Sequence, residues 1–270
     1  MIAPVTDAER AAAGRWLVKH GVEVPTLTEL LALRLGFRGG ARPRGSWWWA
    51  VVAIVAVVTA DAGVRLLPGV RGAELTENAY MYYIVIAFQL MAWLPVRVRD
   101  RQALASAGTP ALERPPGTGL GGWDIATLLI TFAGGAALGG TMFVTTPFRA
   151  YAASWLGLLA IGGAVAAVIL TGTLRRPVIA EDETSRAVDA ALRIQDPLFA
   201  LPAVYTLPVL FDALDHVQPP GFTPWLIGYA ALAVATQAVS AFVNLRRGRA
   251  VLAAAAPGGA AGRLSGSTPS

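Results

Sequence analysis

The sequence predicts an all-α membrane bundle of six transmembrane helices, and three observations carry that prediction. Hydrophobic residues make up 55% of the 270-residue chain and charged residues only 14%, too little charge to solvate a globular domain of this size. Six windows come close to the ~20 apolar residues that a helix needs to cross a ~30 Å hydrocarbon core. Arginine gathers in alternate connections between those windows, as the positive-inside rule requires.

The arm of residues 1–46 precedes the first window and carries two short helices. Thr6 and Glu9 have the spacing of a capping box, opening a helix that runs through Lys19 or His20 and stops at Gly21. Thr26 and Glu29 repeat that spacing before Leu27, Leu30, Leu31, Leu33 and Leu35, and Gly39-Gly40 closes the second helix. Arg38, Arg42 and Arg44 then lead into Trp47, Trp48 and Trp49. This composition predicts amphipathic helices held at an anionic lipid surface, with docking of a cytoplasmic ATPase or regulator as the alternative.

The membrane domain spans 47–249, with windows at 47–67, 79–96, 123–144, 151–173, 197–214 and 224–244. Nineteen of the 22 basic residues fall in the arm, in the connections after the second and fourth windows, and in the tail. Arg65, Arg71 and Arg149 fall on the opposite side. Six crossings with both termini cytoplasmic separate the charges in this way, whereas five or seven would mix them. Tyr80, Tyr82, Tyr83, Tyr151, Trp155 and Trp225 stand at the outer edges and read as interface anchors. The tail of residues 250–270, rich in Ala, Gly, Ser and Pro, is expected to be disordered. Ala60-Asp61-Ala62 has the letters of a signal-peptidase site, but 46 residues before the apolar run are too many for an n-region.

Polar residues inside the windows are few. Asp61 and Arg65 sit four apart with the acid first, the order that favours a helical ion pair, and with Gln89 and Gln237 they are the candidate lining of a polar cavity. Gly135 and Gly139, then Gly157 and Gly163, mark small-residue stripes that let helices approach closely. A hairpin of the third and fourth windows is their first use and a homodimer the second. Asp196-Pro197 reads as N-cap and first turn of the fifth window. Pro202 and Pro208 each remove a donor and crowd a carbonyl one turn back, so the fifth helix should kink or break as a hinge.

Asp212, Asp215 and His216 share a helical face at the outer end of that window and form the one weak candidate for a metal or proton site. The chain has no cysteine, which excludes disulfides, thiolate catalysis and Cys-ligated metals. Gly117 to Gly122 matches a dinucleotide fingerprint by letters, but it follows Pro115-Pro116 and enters a membrane window rather than a βαβ unit. Walker A, H-E-x-x-H and G-x-S-x-G motifs are absent. No catalytic residue and no cofactor is expected, and basic residues placed beside apolar runs point to the membrane edge rather than to nucleic acid.

Six spans, cytoplasmic termini and leading amphipathic helices resemble in outline the permease subunits of ABC-2-type exporters. The whole chain is also similar to uncharacterised actinobacterial multi-pass membrane proteins. The likeness covers the six windows and matches no motif residue by residue, so it implies a non-enzymatic permease-like or accessory subunit in small-molecule transport, in a bacterial cell membrane, and carries over no functional residue. A membrane scaffold or regulatory partner is the alternative, and a membrane enzyme with an outer metal site the third reading.

Overall fold

The computed structural model describes residues 4–22, 24, 26–41, 79–106, 118–215 and 219–255, and seven isolated positions between 51 and 66. Asp61, Arg65, His216 and residues 256–270 lie outside the described residues. All regular structure among the described residues is helical. Four helices there are long and apolar enough to cross a membrane: Gly122–Thr145, Arg149–Leu174, Glu183–Leu214 and Thr223–Ala255.

Helix α1 (Asp7–Lys19) is opened by the expected capping box, with Glu9 N–H donating to Thr6 Oγ1 and Thr6 N–H to Glu9 Oε2. Helix α2 (Glu29–Gly36) starts two residues later than the sequence pattern implies. Its N-cap is Thr28, whose hydroxyl accepts from Leu31 N–H, so Thr26 and Glu29 do not form a box. Neither helix lies open as an interfacial segment. Ala13, Trp16, Leu17, Leu31 and Leu35 pack with Val188, Ala191, Leu192 and Leu252 in one apolar cluster, so the rest of the chain covers the face expected to meet lipid.

Helix α3 (Ala79–Ser106) runs through Pro95 and continues ten residues past the second window. Its charged second half is held by partners from the arm, Arg99 donating to Glu9 at 2.5 Å. The third window comprises α4 (Gly122–Leu128), a π-helical turn (Leu129–Gly134) and α5 (Gly135–Thr145). At the wide turn Thr131 C=O accepts from Tyr229 OH at 2.6 Å, a contact that a regular helix would direct to its own backbone. Helix α6 (Arg149–Leu174) returns beside α5.

In the hairpin of α5 and α6, two of the four stripe glycines stand in close approach. A Cβ on Gly135 would stand 2.7 Å from Leu159 Cδ2, and one on Gly139 2.8 Å from Leu156 Cδ2. Gly163 has ordinary room beside Phe132, and Gly157 is half-buried. Gly162, which the stripe pattern passed over, is tighter than either: Tyr205 Cε1 lies 2.6 Å from where its Cβ would be.

Helix α7 (Glu183–Gln195) packs against the C-terminal helix and the arm helices. It passes into 3-10 turns at Asp196–Ala200 and Pro202–Thr206 and then into α8 (Leu207–Leu214). This run is the centre of the bundle: 56% of its most apolar stretch is buried, against 28% for Gly122–Thr145. Helix α9 (Thr223–Ala255) packs along α7 and continues six residues into the segment expected to be a disordered tail, where Leu252 closes the arm cluster. Tyr82, Tyr151 and Trp155, expected as interface anchors, belong to the core. Trp225 does stand exposed, near the start of α9.

Candidate functional site

Three polar assemblies are buried in this apolar frame, and the broken run after α7 touches all of them. The largest lies where the arm meets the bundle. Arg34 on α2 donates to Asp189 Oδ1 at 2.7 Å, to Ile179 C=O at 2.9 Å and to Asp100 Oδ1 at 3.4 Å. Arg38, one turn on, reaches Asp100 Oδ2 at 3.2 Å and Asp196 Oδ2 at 2.9 Å. Arg176 bridges the same two acids through Nη1, at 2.5 and 2.7 Å. Arg193 donates to Asp189 Oδ2 at 2.6 Å and to Pro177 C=O at 2.5 Å.

These side chains are almost wholly withdrawn from solvent, Arg34 being 1% and Asp189 0% exposed. Burial opposes the charge on Asp100, but Arg38, Arg176 and Arg34 outweigh it and hold the carboxyl far below its usual range. Burial likewise opposes the Arg38 and Arg176 charges and is overcome by Asp100 and Asp196, which raise both. For Arg34 burial wins, and its pKa is lowered. Asp196 is therefore not the helix cap that Asp196-Pro197 suggested. It continues the helix with φ −60° and ψ −30°, and its carboxylate clamps the arm to the broken run.

The second assembly holds the break itself. Leu201 adopts φ 32° and ψ 57°, a left-handed conformation that costs an L side chain roughly 1–2 kcal/mol. Pro202 cannot donate, and Val204 N–H bonds Leu201 C=O at 3.1 Å instead of Ala200 C=O one turn back. Gln89 of α3 serves the carbonyl left over: Nε2 donates to Ala200 C=O at 2.5 Å and faces Leu201 C=O at 3.4 Å, while Tyr205 OH donates to Gln89 Oε1 at 2.6 Å. Pro208 sits in the first turn of α8, where it is tolerated.

Beside the break is a cavity of about 620 Å3, inside the ~300–1,000 Å3 range of small-molecule sites. Its wall is apolar, from Val85, Phe88, Ala92, Leu198, Phe199 and Val204, apart from the amides of Gln89 and Gln195. Gln195 Nε2 is buried with no hydrogen-bond partner.

The third assembly centres on Asp124 of α4, whose carboxylate accepts from Gly121 N–H and Asn244 Nδ2, both at 2.8 Å, and from Ser240 OH. Gln237 lines a small separate void there. Gln89 and Gln237 thus do not share the single polar cavity that the sequence suggested.

Of the outer cluster, Asp212 and Asp215 are described and His216 is not. Asp212 is buried and accepts from Tyr151 OH at 2.8 Å, whereas Asp215 is exposed. Among the described residues no group of three His, Cys, Asp or Glu side chains could hold a metal. Sequence reasoning missed Asp100, Arg176, Asp189 and Arg193 as a unit. Two signals were present: Arg34 and Arg38 fall at i, i+4 on a helix otherwise rich in leucine, and Asp189 and Arg193 repeat that spacing acid first. Set against known proteins, the chain matches no family, no characterised protein and no solved structure.

Proposed function

We propose that this protein is a permease-like or accessory subunit of a small-molecule transport system, and that it handles an amphipathic molecule at the break in its central helix. The observation that carries the reading is the cavity beside Leu201: apolar on nearly every side, with two amides at its edge and an interrupted helix as one wall. An amphipathic ligand would place its chain against Phe88, Leu198 and Phe199 and its polar group near Gln89 and Gln195. Interrupted helices are common where transporters bind substrate, because freed backbone groups can meet the ligand.

The proposed setting is the plasma membrane of a bacterium, with six spans and both termini cytoplasmic. The four described helices of crossing length support it, together with the apolar windows 47–67 and 79–96 and the placement of arginine between them. Reporter fusions after Pro110 and Ser185 should read cytoplasmic, and an external reading of either would overturn the threading.

The functional test is native mass spectrometry of the full chain released from nanodiscs of defined phospholipid loaded with oleate as probe. Bound oleate should be retained by the wild type and by a lipid-facing variant, Val168→Trp, and lost from the cavity-filling variant Ala92→Trp. Equal retention by both variants would overturn the assignment.

A further inference from the structure

We propose that the small void between α4, the broken run and α9 is a binding site for one dehydrated monovalent alkali cation, held by oxygens of Asp124, Thr127, Gln237 and Ser240. These four side chains line the void together, with Pro197, Ala200 and Pro202 on the opposite wall. The inference does not depend on what the apolar cavity holds.

The first ground is charge. Asp124 is 9% exposed, yet among the described residues no cationic group lies within 4.0 Å of its carboxylate; its three partners are the neutral donors Gly121, Ser240 and Asn244. Arg247, which passes beside Gly121, has interactions of its own. A buried carboxylate with no cation in direct contact is costly, and within a membrane bundle an ionisable group marks a functional position.

The second ground is the direction of the hydrogens. The Ser240 hydroxyl gives its proton to Asp124, and the Thr127 hydroxyl gives its proton to Trp123 C=O at 2.8 Å. Each hydroxyl is left with lone pairs only. Gln237 Oε1 is buried and accepts from no donor. Four oxygens that can accept but have nothing further to donate suit a hard cation. A water molecule could donate to two of them but would leave the negative charge uncompensated.

The third ground is size and valence. The void leaves about 10 Å3 for the centre of a water-sized sphere, room for one small occupant. One carboxylate among neutral oxygens balances a single positive charge, whereas a divalent ion would leave a buried excess. Seated there, the ion would join α4 and α9 to the wall formed by the broken run, so its binding would favour the broken conformation of residues 196–206.

The test is thermal unfolding of the full chain in nanodiscs, in NaCl, KCl or choline chloride at one ionic strength. Sodium or potassium should raise Tm by about 5 °C over choline, saturably, at concentrations near a hundred times Kd. Asp124→Asn should abolish the increment, and Gln237→Leu, which keeps volume and charge, should weaken the apparent affinity at least ten-fold. Thr141→Ala, an exposed hydroxyl bonded to its own helix, should retain it. Equal Tm in choline would mean that the void holds water only and would overturn the proposal. So would an undiminished response in Gln237→Leu, which decides the matter even if Asp124→Asn fails to fold.

Discussion

Two kinds of buried carboxylate occur in this molecule, and their neighbours separate their roles. Asp100, Asp189 and Asp196 are enclosed by Arg34, Arg38, Arg176 and Arg193. Asp124 is buried among neutral donors alone. The enclosed acids have their charge answered within the fold and act as structure, locking arm to bundle. Breaking such an assembly is expensive because the partners stay buried and unanswered. Asp124 makes no ion pair within 4.0 Å among the described residues, although Arg247 stands beside Gly121. The arm end is thus a closed lock, whereas the region from Asp124 to Leu201 carries both of the proposed sites.

One substitution made at both sites gives the sharpest contrast. Asp100→Asn should destabilise the protein by about 3–5 kcal/mol, since three guanidiniums lose a shared counter-ion. Asp124→Asn, measured in choline chloride, should cost less, about 1–2 kcal/mol, because the amide oxygen still accepts from Ser240 and Asn244 and only the Gly121 N–H loses its acceptor. Reversible unfolding in mixed micelles reads both, and similar losses would erase the distinction. Acid reaches the same lock: the folded pKa of Asp100 lies far below its unfolded value, so its contribution is complete above about pH 4 and declines as pH falls below that. A rise in stability between pH 4 and 3 would contradict the sign.

The two glutamines allow a similar contrast. Gln89→Leu removes the donor to Ala200 C=O and the acceptor for Tyr205 OH, so a loss of about 2–4 kcal/mol is expected in the same unfolding measurement. Gln237→Leu in choline should be neutral or stabilising, because the oxygen that it removes accepts nothing. The smallest effect separates two glycines of one helix. Gly135→Ala meets Leu159 and Tyr229 at 2.7 Å and should cost about 1–3 kcal/mol. Gly140→Ala has nothing within 4 Å and should be stabilising by about 0.5–1 kcal/mol.

Much of the helical organisation was legible because length, hydropathy and capping are local properties. The Thr6 and Glu9 box and the stop at Gly21 follow from sequence neighbours, and Pro202 marks the interruption by its missing donor, although α3 runs unbroken through Pro95. The arginine lock was not legible. Arg34, Arg38 and Arg176 read as positive-inside charges, and only the tertiary fold shows that Asp100 and Asp196 meet them from 20 to 158 residues away. Asp196 shows the limit most clearly: its place before Pro197 suits a cap, but two guanidiniums draw the carboxylate away from the backbone. Gln89 was visible as a polar residue in an apolar window, while its partners, 111 and 116 residues on, were not. The outer Asp212 and Asp215 share a helical face by spacing, yet Tyr151 buries one and leaves the other in the open.

The most direct test of the site at the break uses the absence of cysteine from the chain, so that an introduced thiol is the only one. The full protein carrying Ala92→Cys would be placed in nanodiscs and labelled with a membrane-permeant maleimide, with and without oleate. Saturating oleate should slow labelling at position 92 at least ten-fold and leave a lipid-facing control, Val168→Cys, unchanged. Equal labelling rates at position 92 with and without oleate would show that the cavity beside Leu201 takes no amphipathic molecule.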